Sequence, residues 1–372
     1  MKSTDTAAPQ RSMVDLSIQR AIESSVRAFQ PAFIHLPTPV RLRASNAIGD
    51  WTAARRAAGQ DGERLRAMIA NPDAPLLSLL RHMEDFIQRH STLPFDTPDR
   101  ILFRRAAVQS VYWQAFWLRS GALYEPTPAL SRLLHTTDIG ADIPVSMLRL
   151  PCPAMCLVPE PAIRVDKDGF EAIAVFEHKL PADATHSPRG LTFVIQTIER
   201  TDVVSIQVRD DQQTIAQAFD VASQTCTVNS ATPLDLEALR SRTLQRLDYV
   251  AKMLLYLSLD KPEIAHETPY SAAPRLFPGL GKRKRELRLA EVEQLYDRYL
   301  IGPSGLGSEL PGSADGSSGH SVSAHWRRGH FRLQPHGPKS SLRKVMFIMP
   351  IIVRADRLAD DTPAPPGPTL PD

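Results

Sequence analysis

Between His325 and Lys344 the chain carries three of its eleven histidines, six lysines or arginines and no acid. Three chemistries are open to such a run: metal ligation, acid–base catalysis, or capture of an anion. Metal fits poorly. His320, His325, His330 and His336 are spaced by five, five and six residues, which matches neither usual zinc spacing, and no CxxC pair or carboxylate accompanies them. Six neighbouring cations would also repel a divalent ion. No metal and no cofactor is expected.

Catalysis has little more support. The sequence holds no GxSxG, no Walker loop and no Rossmann fingerprint; GPSGLGSELPG is glycine-rich but follows a helical pattern instead of a strand. His325 or His330 could serve as a general base in a nuclease, since imidazole titrates near neutrality. No paired acid stands nearby in sequence. Glu177-His178-Lys179 reads as an exposed strand end, because neighbours on a strand point to opposite faces. Cys152 and Cys156, in CPAMC, read as core thiols.

Anion capture fits best. Arg327, Arg328, Arg332, Lys339, Arg343 and Lys344 form a local cluster, with Trp326 and Phe331 interleaved among them. Cations supply phosphate contacts and aromatics supply stacking on unpaired bases, a combination suited to single-stranded nucleic acid. If the run is a strand without a bulge at Gly329, period-two alternation puts Trp326, Arg328, His330 and Arg332 on one face. Lys282, Arg283, Lys284 and Arg285, with Arg288 beyond, make a second basic patch. The competing reading is a solvated hairpin whose Trp326 and Phe331 cover the core. An acidic protein surface would satisfy the same electrostatics as RNA.

The elements that must carry these residues follow from periodicity. MVDLSIQRAIESSVRAF places Val14, Ile18, Ile22, Val26 and Phe29 on one helical stripe, and APLLSLLRHMEDFIQRH does the same with Leu76, Leu80, Met83 and Ile87. Asp96-Thr97-Pro98 can cap a long helix to about Arg119, whose apolar load (Ile101, Val108, Tyr112, Phe116) makes it central. PALSRLLH is a further short helix. PVSMLRL, PAMCLV, GFEAIAVFEHKL, GLTFVIQTIE and VVSIQVRD then read as antiparallel strands bounded by Pro, Gly or Asp. Thr232-Pro233-Leu234-Asp235 resembles a capping box opening a helix with Leu236, Leu239, Leu247, Val250, Leu254 and Leu257 buried. KRKRELRLAEVEQLYDRYL predicts one helix burying Leu289, Val292, Tyr296 and Tyr299. VMFIMPIIV closes the chain's ordered part as a strand.

The expected organisation is α+β: residues 1–12 disordered, 13–140 a helical region, 141–301 an α+β core with a mostly antiparallel sheet, 302–323 a flexible Gly/Ser loop, 324–357 a basic β-hairpin completing the core, and 358–372 a Pro-rich tail. A net charge of +3 over 372 residues means that any nucleic-acid footprint is local clustering and not global charge. Three cysteines make no disulfide framework and suit a reducing cytoplasm. MKSTDTAAPQ has no apolar h-region, and the run MLLYLSL is too short to span a bilayer, so no membrane partner is expected.

HWRRGHF (His325 to Phe331), a Gly-containing turn, and RKVMFIMPIIV (Arg343 to Val353) together are similar to the C-terminal signature of a mobile-element family that includes the second-described type V-A anti-CRISPR protein. LDYVAKMLLYLSLDKPEI (Leu247 to Ile264) and LPCPAMCLVP (Leu150 to Pro159) resemble that family's apolar helix and Cys-bearing strand. The likeness covers about residues 100–353 as an ordered series of elements. It implies an inhibitor of CRISPR nuclease production, encoded by a phage, plasmid or integrated element, that recognises the nascent polypeptide of its target and triggers loss of the message. It further implies RNA or ribosome contacts at His325, Arg327, Arg328, Gly329, His330 and Phe331. The helical N-terminal half, the Gly/Ser insertion and the Pro-rich tail do not match the family pattern. A nuclease, or a protein-binding inhibitor module of host defence, remain the alternatives.

Overall fold

The computed structural model describes residues 12–92, 101–165, 169–180, 188–197, 200–208, 212–224, 227–228, 236–304 and 325–353. The cap at Asp96, the capping box at Thr232, most of the Gly/Ser loop and the Pro-rich tail lie outside the described residues. Six helices come first: α1 (Met13–Arg27), α2 (Thr38–Ala44), α3 (Ala47–Ala57), α4 (Gln60–Ala70), α5 (Leu76–His90) and α6 (Ile101–Leu118). Next are β1 (Ala122–Pro126), α7 (Pro128–His135), β2 (Thr137–Ile139), β3 (Ala154–Leu157), α8 (Pro161–Val165), β4 (Ala172–Lys179), β5 (Arg189–Gln196) and β6 (Thr201–Val208). Then follow α9 (Ile215–Gln224), β7 (Thr227–Val228), α10 (Leu236–Leu257), β8 (Ile264–Glu267), α11 (Lys282–Val292) and β9 (Arg298–Ile301). Last are β10 (His325–Arg327), β11 (Gly329–His336), β12 (Leu342–Ile348) and β13 (Ile351–Val353). The class is α+β, with a helical N-terminal half, a large, mostly antiparallel central sheet and a basic hairpin at the C-terminal end.

Two compact units divide the chain. The first takes Met1–Gly121, Phe176–His178 and Thr268–Asp297. Its centre is α6, where Val111, Tyr112, Trp113, Ala115 and Phe116 are all buried, as the dense apolar load requires. Ser12 caps α1 by accepting from the Asp15 amide, and the buried Asp15 carboxylate accepts in turn from the Thr92 and Ser91 hydroxyls.

The second unit takes Ala122–Val175, Lys179–Glu267 and Arg298–Asp372. Its large sheet has eight described strands in the order β7-β6-β5-β4-β3-β1-β9-β8. β5 and β6, β6 and β7, and β8 and β9 pair antiparallel. The Leu180 amide donates to Pro188 and the Glu171 amide to Gln196, so β4 and β5 are antiparallel too. The pairs β1 with β3 and β1 with β9 are parallel, because β1 arrives ahead of its neighbours and both return by crossovers. Under the sheet lies a core of Leu130, Leu157, Ile173, Val175, Phe193, Ile206, Leu247, Val250 and Leu254.

Two of the expected elements differ. PVSMLRL forms a short 3-10 turn at Val145–Met147, held by the Val145 amide donating to Gln213, and not a strand. The helix expected to run on past Tyr299 stops at Val292, and Arg298–Ile301 becomes β9. Pairing on both sides with β1 and β8 outweighs helical propensity there: Tyr299 stacks on Tyr124 at 4.9 Å and on His266 at 4.3 Å, and Arg298 bridges Glu125 and Glu267. Among the described residues no helix is long and apolar enough to cross a membrane.

Candidate nucleic-acid interface

β11 and β12 form an antiparallel ribbon in which His330 stands opposite Ile348, Arg332 opposite Met346, Gln334 opposite Lys344 and His336 opposite Leu342. β10 and β13 carry the same register on, with Arg327 opposite Ile351 and Trp326 opposite Ile352. Two residues lie between the paired positions Arg327 and His330 and two between Ile348 and Ile351, so nothing is inserted and there is no bulge at Gly329. The ladder breaks where Arg328 faces Pro350, since proline has no amide hydrogen to give. β2 pairs parallel with β11 on the other side, with Gly329 opposite Thr137 and Phe331 opposite Ile139. That approach requires a glycine. A Cβ at Gly329 would lie 2.7 Å from Thr137 Oγ1, 2.9 Å from Pro350 Cδ and 3.0 Å from the Ile348 oxygen.

Alternation along the ribbon separates its two faces. Phe331, Leu333, Val345 and Phe347 turn inward. Phe331 is 0% exposed and stacks on Phe347 at 4.8 Å, and Phe347 meets Tyr256 of α10 edge-on at 6.1 Å. Burial raises the Tyr256 phenol above its ordinary pKa. Phe331 is therefore the core-covering residue of the competing reading and is not available to stack on a base; its expected contact role is corrected by this packing. Arg328, His330 and Arg332 share the outward side, as the alternation required. The side chains of His325 and Trp326 lie outside the described ones.

The cations differ in their surroundings. Lys344 Nζ lies 3.1 Å from Asp260, and Arg328 lies 4.0 Å from Asp138, both pairs well exposed. These two acids come from β2 and from the loop after α10, so the acid-free run of sequence is not acid-free in space. Arg327, Arg332, Lys339 and Arg343 are exposed and have no carboxylate partner among the described residues. Arg332 donates to Gln334 Oε1 at 3.0 Å, and Arg343 donates to the Ser340 carbonyl at 2.7 Å. Lys339 and Ser340 adopt left-handed backbone (φ 52° and 55°) in the exposed turn between the strands, closed by the Ser340 amide on Gly337 and the Ser341 amide on Pro338. Asp138 and Asp260 gave no local signal in the sequence, because only folding brings them to the hairpin.

The second patch sits on α11, in the other unit. Lys282, Arg283, Lys284 and Arg285 fill its exposed first turn. Cations there oppose the helix dipole, which favours anions at an N-terminus. Glu286 approaches Lys282 at 4.0 Å, and Glu291 pairs with Arg288 at 2.6 Å.

The remaining chemistry reads as follows. His330 is half-buried and has Asp138 as its cross-strand neighbour, but no hydrogen bond joins them among the described residues. No group of histidines, cysteines and acids among the described residues could hold a metal. Cys156 is buried and Cys152 half-buried, and burial pushes both thiols up, as befits core residues. His178, expected at an exposed strand end, is buried instead: its Nδ1 finds no hydrogen-bond partner among the described residues. Burial first, and the Arg119 charge second, hold its pKa below the ordinary value.

A family model described as AcrVA2-like, the anti-CRISPR type V subtype A2 family, matches residues 124–355, which is more than half of the chain and includes the whole described hairpin. The chain belongs to that family. No curated protein and no solved structure matches it. The match begins two residues into β1 and so takes in the sheet, α10 and both basic patches, while leaving out α1 to α6.

Proposed function

We propose that this anti-CRISPR family member holds RNA, free or within a ribosome, on its basic hairpin, meets the nascent polypeptide of its target, and brings about loss of the message being translated. One observation carries the reading. Arg327, Arg332, Lys339 and Arg343 are exposed on the paired strands and turn of the hairpin without carboxylate partners among the described residues. Such cations on an already folded scaffold attract phosphate without the cost of ordering the backbone beneath them. The same ribbon falls within the residues that match the family. An extended peptide has a candidate seat at β8, an edge strand of the large sheet, three of whose four residues are exposed. A phage, plasmid or integrated element evading host defence would be the setting.

Ultraviolet crosslinking in bacteria, with recovery of the tagged protein and sequencing of attached RNA, tests the reading. Reads from ribosomal RNA and from the start of one coding sequence, lost in the Arg327→Ala, Arg328→Ala double variant, are the expected result. No RNA above background would sink it.

A second reading has its own observation. The hairpin takes carboxylates at two places, Asp138 beside Arg328 and Asp260 beside Lys344, so an acidic protein would be held by the same groups. Nuclease-resistant co-purification with one acidic partner would favour that inhibitor module. The nuclease alternative gains nothing from the geometry around His330.

A further inference from the structure

The β8 edge of the large sheet offers more than backbone. β8 pairs antiparallel with β9, and the Gly302 amide donates to the Glu263 carbonyl one step ahead of the strand. That phase turns the amides and carbonyls of Ala265 and Glu267 toward β9 and those of Ile264 and His266 away from it. The Ile301 carbonyl agrees: it takes the Thr127 amide on the β1 side instead of facing Ile264. No described strand pairs with the outer side of β8, and Ile264, Ala265 and His266 are exposed. Pro262 and Pro269 bracket the strand in sequence and limit how far another can be added.

Two rows of side chains cross β1, β9 and β8 and end at that edge, one on each face of the sheet. On one face Tyr124 stacks on Tyr299 at 4.9 Å and 17°, and Tyr299 stacks on His266 at 4.3 Å and 9°. The ~4.8 Å between paired strands sets this spacing, so the rings form a ladder whose last rung is the exposed His266. On the other face Arg298 Nη1 donates to Glu125 at 2.8 Å and its Nε donates to Glu267 at 2.9 Å. This row alternates in sign and ends at the edge on the Glu267 carboxylate, whose side chain is 44% exposed. One further strand would continue the first row with a ring and the second with a cation.

We infer that β8 receives an extended peptide that continues both rows: an aromatic residue beside His266, a lysine or arginine beside Glu267 and an aliphatic residue beside Ile264. In an antiparallel strand this segment reads basic, aromatic, any, aliphatic from its N-terminus; in a parallel strand it reads in reverse. Main-chain bonds to Ile264 and His266 supply affinity, and the two rows supply selection. The inference rests on the peptide half of the reading above, narrows it to a sequence pattern, and needs nothing from the basic hairpin. A second copy of the chain fits less well. Antiparallel self-pairing that sets Ile264 against His266 also sets Glu263 against Glu267, two like charges.

The test uses the full chain, fluorescence anisotropy and two labelled synthetic peptides. Each is threonine throughout except for lysine, tyrosine, threonine and valine at its centre, in that order in one and reversed in the other. At least one order should bind saturably, about fivefold more tightly than its tyrosine-to-alanine form and about threefold more tightly than its lysine-to-glutamine form. His266→Ala should remove the first preference and Glu267→Gln the second, each sparing the other. Ile264→Pro removes an amide that points away from β9, so it should abolish binding while the circular dichroism spectrum stays that of the parent. The two side-chain variants carry the test if the proline variant loses its fold. No saturable binding by either order overturns this inference and leaves the RNA reading to its own crosslinking test. Binding that ignores the tyrosine and lysine changes, or that survives all three variants, overturns it as well. A dimer lost in Ile264→Pro, with no peptide binding, overturns it in favour of a second copy on the edge.

Discussion

Phe331→Ala should remove the hairpin's seat on the core, not a ligand contact. The ring is fully buried, lies 4.8 Å from Phe347, and belongs to the same cluster as Val345, Tyr256 and Leu254. Truncating a buried phenylalanine costs about 3–5 kcal/mol through lost transfer energy and the cavity left behind. The stacked pair accounts for about 0.5–1.5 kcal/mol of that. Against a net stability of about 5–15 kcal/mol, the loss is large enough to threaten folding. Phe331→Leu keeps most of the volume and should cost about 1–2 kcal/mol, so it serves as the folded companion. Urea unfolding followed by circular dichroism gives the stability change for each variant, and anisotropy with a labelled RNA probe gives binding. The expected outcome is a fall of at least about 3 kcal/mol for alanine with an unchanged denaturant slope, and RNA affinity within about twofold of the parent for leucine. A stable Phe331→Ala protein, within about 1 kcal/mol of the parent and unable to bind RNA, would refute the inward assignment of Phe331 and with it the facing of the whole ribbon.

Three further outcomes follow from the same geometry. Gly329→Ala places a methyl group against Thr137, Pro350 and the Ile348 carbonyl, and should cost about 1–3 kcal/mol by overpacking, read as a lowered melting temperature. Asp138→Asn with Asp260→Asn removes the two carboxylates beside Arg328 and Lys344. Affinity for RNA should rise, and the salt dependence should steepen by up to about 1.8, while stability stays within about 0.5 kcal/mol. Burial lowers the His178 pKa in the folded chain, so below about pH 6.5 the unfolded chain binds more protons and stability falls as pH drops. Each further pH unit down to the lowered folded value costs up to about 1.4 kcal/mol, and a His178→Leu variant should lose that part of the acid sensitivity. An identical pH–stability curve in the variant would rule His178 out as its source.

Much of the fold was legible in the chain because it is local. Val14 to Val26, Leu76 to Ile87 and Leu239 to Leu254 repeat at helical spacing, and each run lies on a helix, while Phe29, expected on the first stripe, falls past the end of α1 and is exposed. PAMCLV, GFEAIAVFEHKL, GLTFVIQTIE and VVSIQVRD are β-branched runs between breakers, and they became β3, β4, β5 and β6. The strands that were not legible, β1, β2, β7, β8 and β9, are five residues or fewer. Such segments carry too few residues for a period to declare itself, and their strand conformation comes from partners distant in sequence.

By itself the sequence determined that a basic ribbon would form: GHFRLQPH alternates at period two, an apolar strand run VMFI follows beyond a Gly-Pro turn, and charge travels with the residue wherever it goes. Alternation says only that Phe331 and Arg332 face opposite ways. Which of those ways is the interior was decided by β2 pairing along Gly329 to Phe331 and by Tyr256 closing over Phe347. The same packing brought Asp138 and Asp260 to two of the six cations and left four unpaired among the described residues. Electrostatic pairing falls off with distance in space, not along the chain, so only the folded arrangement could tell the free cations from the neutralised ones.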